Sequence, residues 1–156
     1  QERLADLNIS FEMPTDQIEK LAAEQTARIT GISDTIEVQL REQLTEGISA
    51  GESVTQLAGR LREVFNMASS RALTIARTEL VGAANQSSLL MMTVAKVAKV
   101  QWVTAGDELV RESHQEQDGE EVETGEVFRN GLSYPGEQTG DPGESINCRC
   151  TLVPVV

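Results

Sequence analysis

The residues able to do chemistry are few, and most of them crowd the last third of the chain: Asp107, Arg111, His114, Asp118, Cys148 and Cys150. His114 is the only histidine, and Cys148 and Cys150 are the only cysteines. Brought together, His114, Asp118, Cys148 and Cys150 would offer the mixed nitrogen, oxygen and sulfur donors that suit zinc. The spacing fits zinc poorly, because cysteine pairs in structural zinc sites usually enclose about two to four residues. A single intervening residue on a strand points both thiols the same way, with little room for a tetrahedron. A second chemistry is a cysteine hydrolase, with Cys148 or Cys150 as nucleophile, His114 as base and an aspartate to orient it. Nothing places either thiol at a helix N-terminus or in an oxyanion-stabilising turn. The favoured reading is therefore structural. Arg and His donate to Asp, Glu and backbone carbonyls, pinning a loop-rich segment that has too little apolar area to fix itself. No catalytic residue, bound cofactor or metal is expected on that reading.

The platform for such a cluster is the stretch 71–85. Ala72, Ile75, Ala76, Leu80, Ala83 and Ala84 recur every three or four residues, so they share one face of a helix. Arg77 and Glu79 sit within it, two positions apart, and cannot pair on one helical face. Each must find a partner elsewhere, and the C-terminal third supplies the candidates. This makes Arg77 and Glu79 expected anchors, partly buried and paired, rather than solvated charges.

Ahead of that helix the pattern is helical throughout. Thr15 and Asp16 open a long helix whose apolar stripe (Ile18, Leu21, Ala22, Ile29, Ile32, Ile36, Leu40, Leu44) runs to about residue 46, with a possible bend at Gly31. Residues 47–51 read as a break. Ser53 caps a shorter helix carrying Val54, Leu57, Leu61, Val64 and Phe65. Residues 66–70 form the next turn, with Ser69 or Ser70 capping the 71–85 helix, which continues toward Lys96. At Lys99–Val103 the period changes to the alternation of a strand, centred on Trp102, the only tryptophan. Seven of 12 glycines and three of four prolines lie in 101–156, so short strands and turns follow. The expected features are a turn at Asp118–Gly119, a strand or single turn near Val127–Phe128, a loop over 134–143 and a closing strand from Cys148. The fold class is α+β: N-terminal long helices, as an antiparallel bundle or an arm, then a small loop-rich antiparallel β cap. The boundaries are 1–47 for the lead-in and arm and 48–156 for the domain, with helices over 53–97 and the cap over 98–156.

The formal charge of -12 argues against a general binder of nucleic acid or anionic membrane, both of which need dense Lys and Arg. Residues 101–156 hold 12 Asp and Glu against 3 Arg, so the acidity concentrates in the cap. No apolar run reaches the roughly 18 residues of a membrane span. Two cysteines one residue apart do not make a secreted disulfide framework, and reduced thiols fit an intracellular assembly compartment. A chain opening on Gln1 is expected of a fragment or a processed product.

Taken in order, Arg71, Ile75, Arg77, Thr78, Glu79 and Asn85, then Lys99 and Trp102, then Asp107, Arg111, His114, Asp118 and Gly119, then Glu126 and Phe128, and finally Ile146, Cys148, Arg149, Cys150 and Pro154 form a series that resembles the head morphogenesis domain of the phage Mu F-like minor head proteins. The resemblance runs over about residues 48–156. It implies a tailed-phage or prophage structural protein of the capsid, associated with the portal and other head proteins and needed for head assembly. It further implies help in DNA packaging or ejection, assembly in the bacterial host cytoplasm and residence in the virion. The family order carries over to Arg77, Thr78, Glu79, Trp102, Asp107, Arg111, His114, Asp118, Gly119, Cys148, Arg149 and Cys150, and of these the residues read as the structural polar cluster are Arg77, Glu79, Trp102, Asp107, Arg111, His114, Asp118, Cys148, Arg149 and Cys150. Many relatives have a Cys where His114 stands and a His-Pro where Ser145 and Ile146 stand, so one potential metal ligand is missing here. Related domains also precede toxin domains in some prophage proteins, though nothing in these residues marks a toxin. A zinc- or thiol-dependent enzyme, or a toxin-associated module built on His114, Asp118, Cys148 and Cys150, is the alternative. The expected partners are a portal protein, reached through residues 15–65, other head proteins, and a second copy along the long helix. No membrane and no tight duplex DNA binding are expected.

Overall fold

The computed structural model describes residues 34–155. The expected helix start at Thr15 and the stripe from Ile18 to Ile32 lie outside the described residues. Within them the order is α1 (Asp34–Ser49), α2 (Val54–Phe65), α3 (Ser69–Val94), β1 (Lys99–Val103), α4 (Glu112–Gln115), β2 (Glu121–Glu123), α5 (Pro142–Ser145) and β3 (Thr151–Val155). Three helices followed by a three-stranded antiparallel sheet, in the order β2-β1-β3, make the fold α+β.

The helices form one core. Leu40 and Leu44 of α1, Leu57, Ala58 and Leu61 of α2, and Ala72 and Ala76 of α3 are buried together, with Ile75 and Leu80 packed alongside. The break expected over residues 47–51 begins later, since α1 runs through Gly47 to Ser49. A Cβ on Gly47 would lie 2.5 Å from Leu57 Cδ1, so this glycine serves the α1–α2 crossing and not a turn. The chain turns instead at Gly51, whose φ is +69°. Ser53 caps α2 in a full capping box, its backbone N–H donating to Gln56 Oε1 at 2.9 Å. The cap expected on α3 is corrected. Ala68 is the N-cap and makes no side-chain bond, and Ser69 and Ser70 lie inside the first turn. The reversal is made at Asn66, whose left-handed φ of 48° ends α2.

Helix α3 has 26 residues, a rod of about 39 Å at 1.5 Å per residue. Its first half belongs to the helical core, and its second half lies under the cap, where Leu89 and Met92 pack on the second core. That core contains Val100, Trp102, Phe128, Leu132, Tyr134, Cys148, Cys150 and Leu152. Strand β1 alternates as expected, burying Val100 and Trp102, and pairs with β3 from Lys99↔Val155 to Val103↔Thr151. The second partner of β1 is β2, at Glu121–Glu123, where the sequence pointed only to the turn before it. No strand forms near Val127–Phe128. Phe128 closes a tight loop with Leu132 by accepting from Gly131 N and donating to Leu132 O, and its ring is buried while Val127 is exposed. The closing strand begins at Thr151, because Asn147 takes a φ of 60° and residues 146–150 turn before they extend.

Candidate functional site

Three consecutive residues of α3 hold the segment that carries the cysteines and the loop before it. Arg77 Nη1 donates to Asn147 Oδ1 at 2.6 Å. Thr78 Oγ1 accepts from Asn147 N at 2.9 Å and donates to Thr74 O at 2.8 Å. Glu79, 5% exposed, accepts from Gln138 Nε2 at 3.2 Å. Burial raises the Glu79 carboxyl to about 7, against a smaller opposing effect from the Gln138 amide. Two turns on, Asn85 is also buried, with Nδ2 donating to the carbonyls of Pro135 and Cys150 at 3.0 Å each. Its Oδ1 accepts from Leu152 N at 2.9 Å. One amide thereby ties α3 to the 131–145 loop, to the cysteine segment and to β3.

A second tier ties the same segment to the loop after β1. Arg149 makes a two-pronged ion pair with Asp107, with both N···O distances 2.5 Å. That bonding holds the Asp107 carboxyl below its ordinary range. Arg111 donates through Nη2 to the Ile146 carbonyl. Arg77, Arg111 and Arg149 line a depression with Leu109 and Asn147, and each of the three is engaged with the protein itself.

Under these ties sit the histidine and both cysteines. His114, on the one-turn helix α4, is 1% exposed, and its ring stands edge-on to Trp102 with centroids 5.1 Å apart. Its Nδ1 lies 3.3 Å from Cys150 Sγ and 3.9 Å from Cys148 Sγ. Its Nε2 lies 3.0 Å from Glu144 Oε2, close but out of line for a hydrogen bond. Cys150 N donates to Cys148 Sγ at 3.4 Å. The Cys148 thiol is pushed down, first by its bond with Cys150 and then by His114, and the same sulfur–sulfur contact pushes Cys150 up.

Asp118 does not join them. It is exposed, and its Oδ1 accepts from Thr104 N at 2.7 Å, which ties the turn after α4 to the end of β1. The four-residue set expected from the sequence is therefore a set of three. Trp102 is the packing wall of the site, edge-on to both His114 and Phe128. Glu144 and Gln138 were not legible as partners, since neither bears a regular spacing to His114 or Glu79. Asn85 carried one signal: a poor helix former amid alanines in a helix interior points to a tertiary bond.

The family model described as Phage Mu protein F like protein matches residues 38–153, a span that takes in both cores. Among curated proteins, the NAD(+)--arginine ADP-ribosyltransferase EFV of Enterococcus faecalis is 30% identical over 135 residues, which cover 83% of this chain and 28% of that protein. An uncharacterized protein of Haemophilus influenzae is 28% identical over 91% of this chain and 30% of its own length. Minor head protein GP7 of Bacillus phage SPP1 is 26% identical over 96% of this chain and 53% of its own. The chain thus spans between about a quarter and about half of the relatives it matches. No solved structure matches it. With the family match extending from the helical core through the cap to β3, the chain belongs to the phage Mu protein F like family.

Proposed function

We propose that this chain is a head-morphogenesis module of a tailed phage or prophage, a minor structural protein of the capsid that docks on the portal and other head proteins. It is assembled in the host cytoplasm and retained in the virion, and a place at the portal would let it assist DNA packaging or ejection. The observation that carries this reading is the likeness to a minor head protein over 96% of the chain, through the helices and the cap alike. The geometry agrees with it. The polar residues of the cap pin it to α3, as a rigid docking module requires, and in this reading none of them is catalytic.

The contact surface we assign to the portal lies within residues 15–65. Its described part exposes Val38 and Val64, which are 55% and 51% accessible. Such side chains suit a partner helix or a second copy, and among the described residues no helix is long and apolar enough to cross a membrane. Duplex DNA is not the partner. The net charge is -12, and the arginines of the basic depression are engaged within the protein. The test is co-purification with a portal protein of the same phage or prophage, using the whole chain and a version with Val38→Glu and Val64→Glu. The expected result is capture by the first and weakened capture by the second, with only weak, salt-sensitive retention of duplex DNA. Tight, salt-resistant DNA binding, or equal portal capture by both proteins, would overturn the assignment.

A further inference from the structure

We propose that His114, Cys148 and Cys150 form a zinc site, with Glu144 positioning the imidazole and water completing the coordination. The proposal rests on the placement of five side chains and is independent of the assembly role.

The donor atoms Nδ1, Sγ and Sγ lie within 4.8 Å of one another, and all three residues are buried. In a tetrahedral site with Zn–N near 2.05 Å and Zn–S near 2.3 Å, nitrogen and sulfur ligands stand about 3.6 Å apart. The two nitrogen–sulfur separations here, 3.3 and 3.9 Å, straddle that value. The turn at Asn147 is what makes this possible. It takes residues 148–150 out of the strand, so that the two sulfurs converge on the ring.

The surroundings fit a metal ligand better than a packed histidine. A histidine that binds metal through one ring nitrogen usually holds a carboxylate or carbonyl with the other, which fixes its tautomer. Glu144 Oε2 lies 3.0 Å from Nε2, and a small rotation of its carboxylate would bring it into line for that bond. That assignment gives Nε2 the proton and leaves the Nδ1 lone pair facing the sulfurs. The Trp102 indole N–H is buried in the same core without an aligned acceptor. Cys150 N donates to Cys148 Sγ, an N–H aimed at a sulfur. Two buried thiols facing a ring nitrogen, one of them accepting a backbone N–H, form a pocket whose thiolate charge a soft divalent cation would neutralise. Among the described residues no fourth His, Cys, Asp or Glu joins the group, so one coordination position is open to water. A cysteine nucleophile is the competing use of a Cys–His–Glu arrangement, but thiols 1% and 4% exposed are closed to a substrate.

The test is the metal content of the purified whole chain together with cobalt(II) titration of the chelator-stripped protein. One zinc per chain and a thiolate-to-cobalt charge-transfer band at one equivalent are expected. Glu144→Gln should keep that stoichiometry with affinity lower by about 10- to 100-fold, the effect of removing a carboxylate behind a ligating histidine. Cys150→Ser, which leaves only the Cys148 thiolate, should cut the band to about half or less and weaken cobalt binding; if it does not fold, the titration of the unaltered chain still decides. Substoichiometric zinc with no charge-transfer band would overturn the proposal, as would rapid alkylation of Cys148 with zinc present. A metal-free protein that still captures the portal would remove the zinc site and leave the assembly role standing.

Discussion

Glu79 is the residue at which burial and charge conflict most plainly. It is held in the helix–cap seam by one neutral amide, and its carboxyl is raised from 4.5 to about 7. The folded state therefore keeps a proton that the unfolded chain releases near 4.5, so its contribution to stability is full below that pH. The contribution declines as pH rises from 4.5 to about 7 and is constant above. The span corresponds to about 3 kcal/mol at 1.36 kcal/mol per unit. Glu79→Gln retains an oxygen to accept from Gln138 and removes the ionisation. Urea unfolding at pH 5 and pH 8 should show the variant gaining on the parent protein by about 2–3 kcal/mol between the two conditions. A difference that does not change with pH would mean that Glu79 is solvated in the folded protein. Asn85 faces no such conflict, since its donor and acceptor atoms meet backbone groups of three cap segments and it carries no charge to desolvate.

Among the elements, the 131–145 loop does the positioning that strands do elsewhere. It carries Pro135 to Asn85, Gln138 to Glu79 and Glu144 to His114. Its approach to α3 is set at Gly136, where φ is 83° and a Cβ would stand 3.1 Å from both Cα and N of Gly82. The contact is backbone against backbone, so no flexible side chain can yield. Gly136→Ala combines a left-handed backbone with this overlap and should destabilise the protein by about 2–4 kcal/mol, measured by chemical denaturation. Loss of less than about 0.5 kcal/mol would show that the loop can lift from the helix without consequence. Strand β2 illustrates the opposite dependence. Its three residues have little strand character of their own and are ordered by pairing with β1 across the turn at Gly119, which donates to Trp102 O.

At the scale of the molecule, the described residues form two hydrophobic cores that share one helix. Ala72 and Ala76 belong to the first, and Leu89 and Met92 pack on the second, so neither can dissolve without freeing part of α3. Thr78, Glu79 and Asn85 bridge the interval with bonds to the cap. Residues 34–155 should therefore unfold as a unit. Trp102 fluorescence reports the cap, and far-UV circular dichroism reports the helices, so the two transitions should coincide in denaturant. Two separated transitions would mean that the cap is a dependent layer on an autonomous helical base. The same architecture explains how an acidic chain tolerates a cluster of arginines, since Arg77, Arg111 and Arg149 close the seam from outside.

Whatever depends on neighbours within one helical turn or one pleat was legible in the amino-acid order. The apolar period of α2 and α3, the capping box at Ser53, the alternation of β1 and the crowding of Arg, His and Cys into the cap are of this kind, because propensity and periodicity act over a few residues. The same order showed that Arg77 and Glu79 could not satisfy one another, and so implied distant partners without identifying them. Those partners lie about 60 to 70 residues away in sequence, and reaching them depends on how the intervening loops turn. Only the tertiary structure decided that Asp118 stays outside while Glu144 comes in, that Ser69 and Ser70 cap nothing, and that Asn147 bends the cysteines toward His114. The physical reason is that loop conformation is selected by what it buries. The left-handed turns at Gly136 and Asn147 hold because the contacts they permit, with Gly82, Thr78 and Arg77, exist only once α3 and the cap have met.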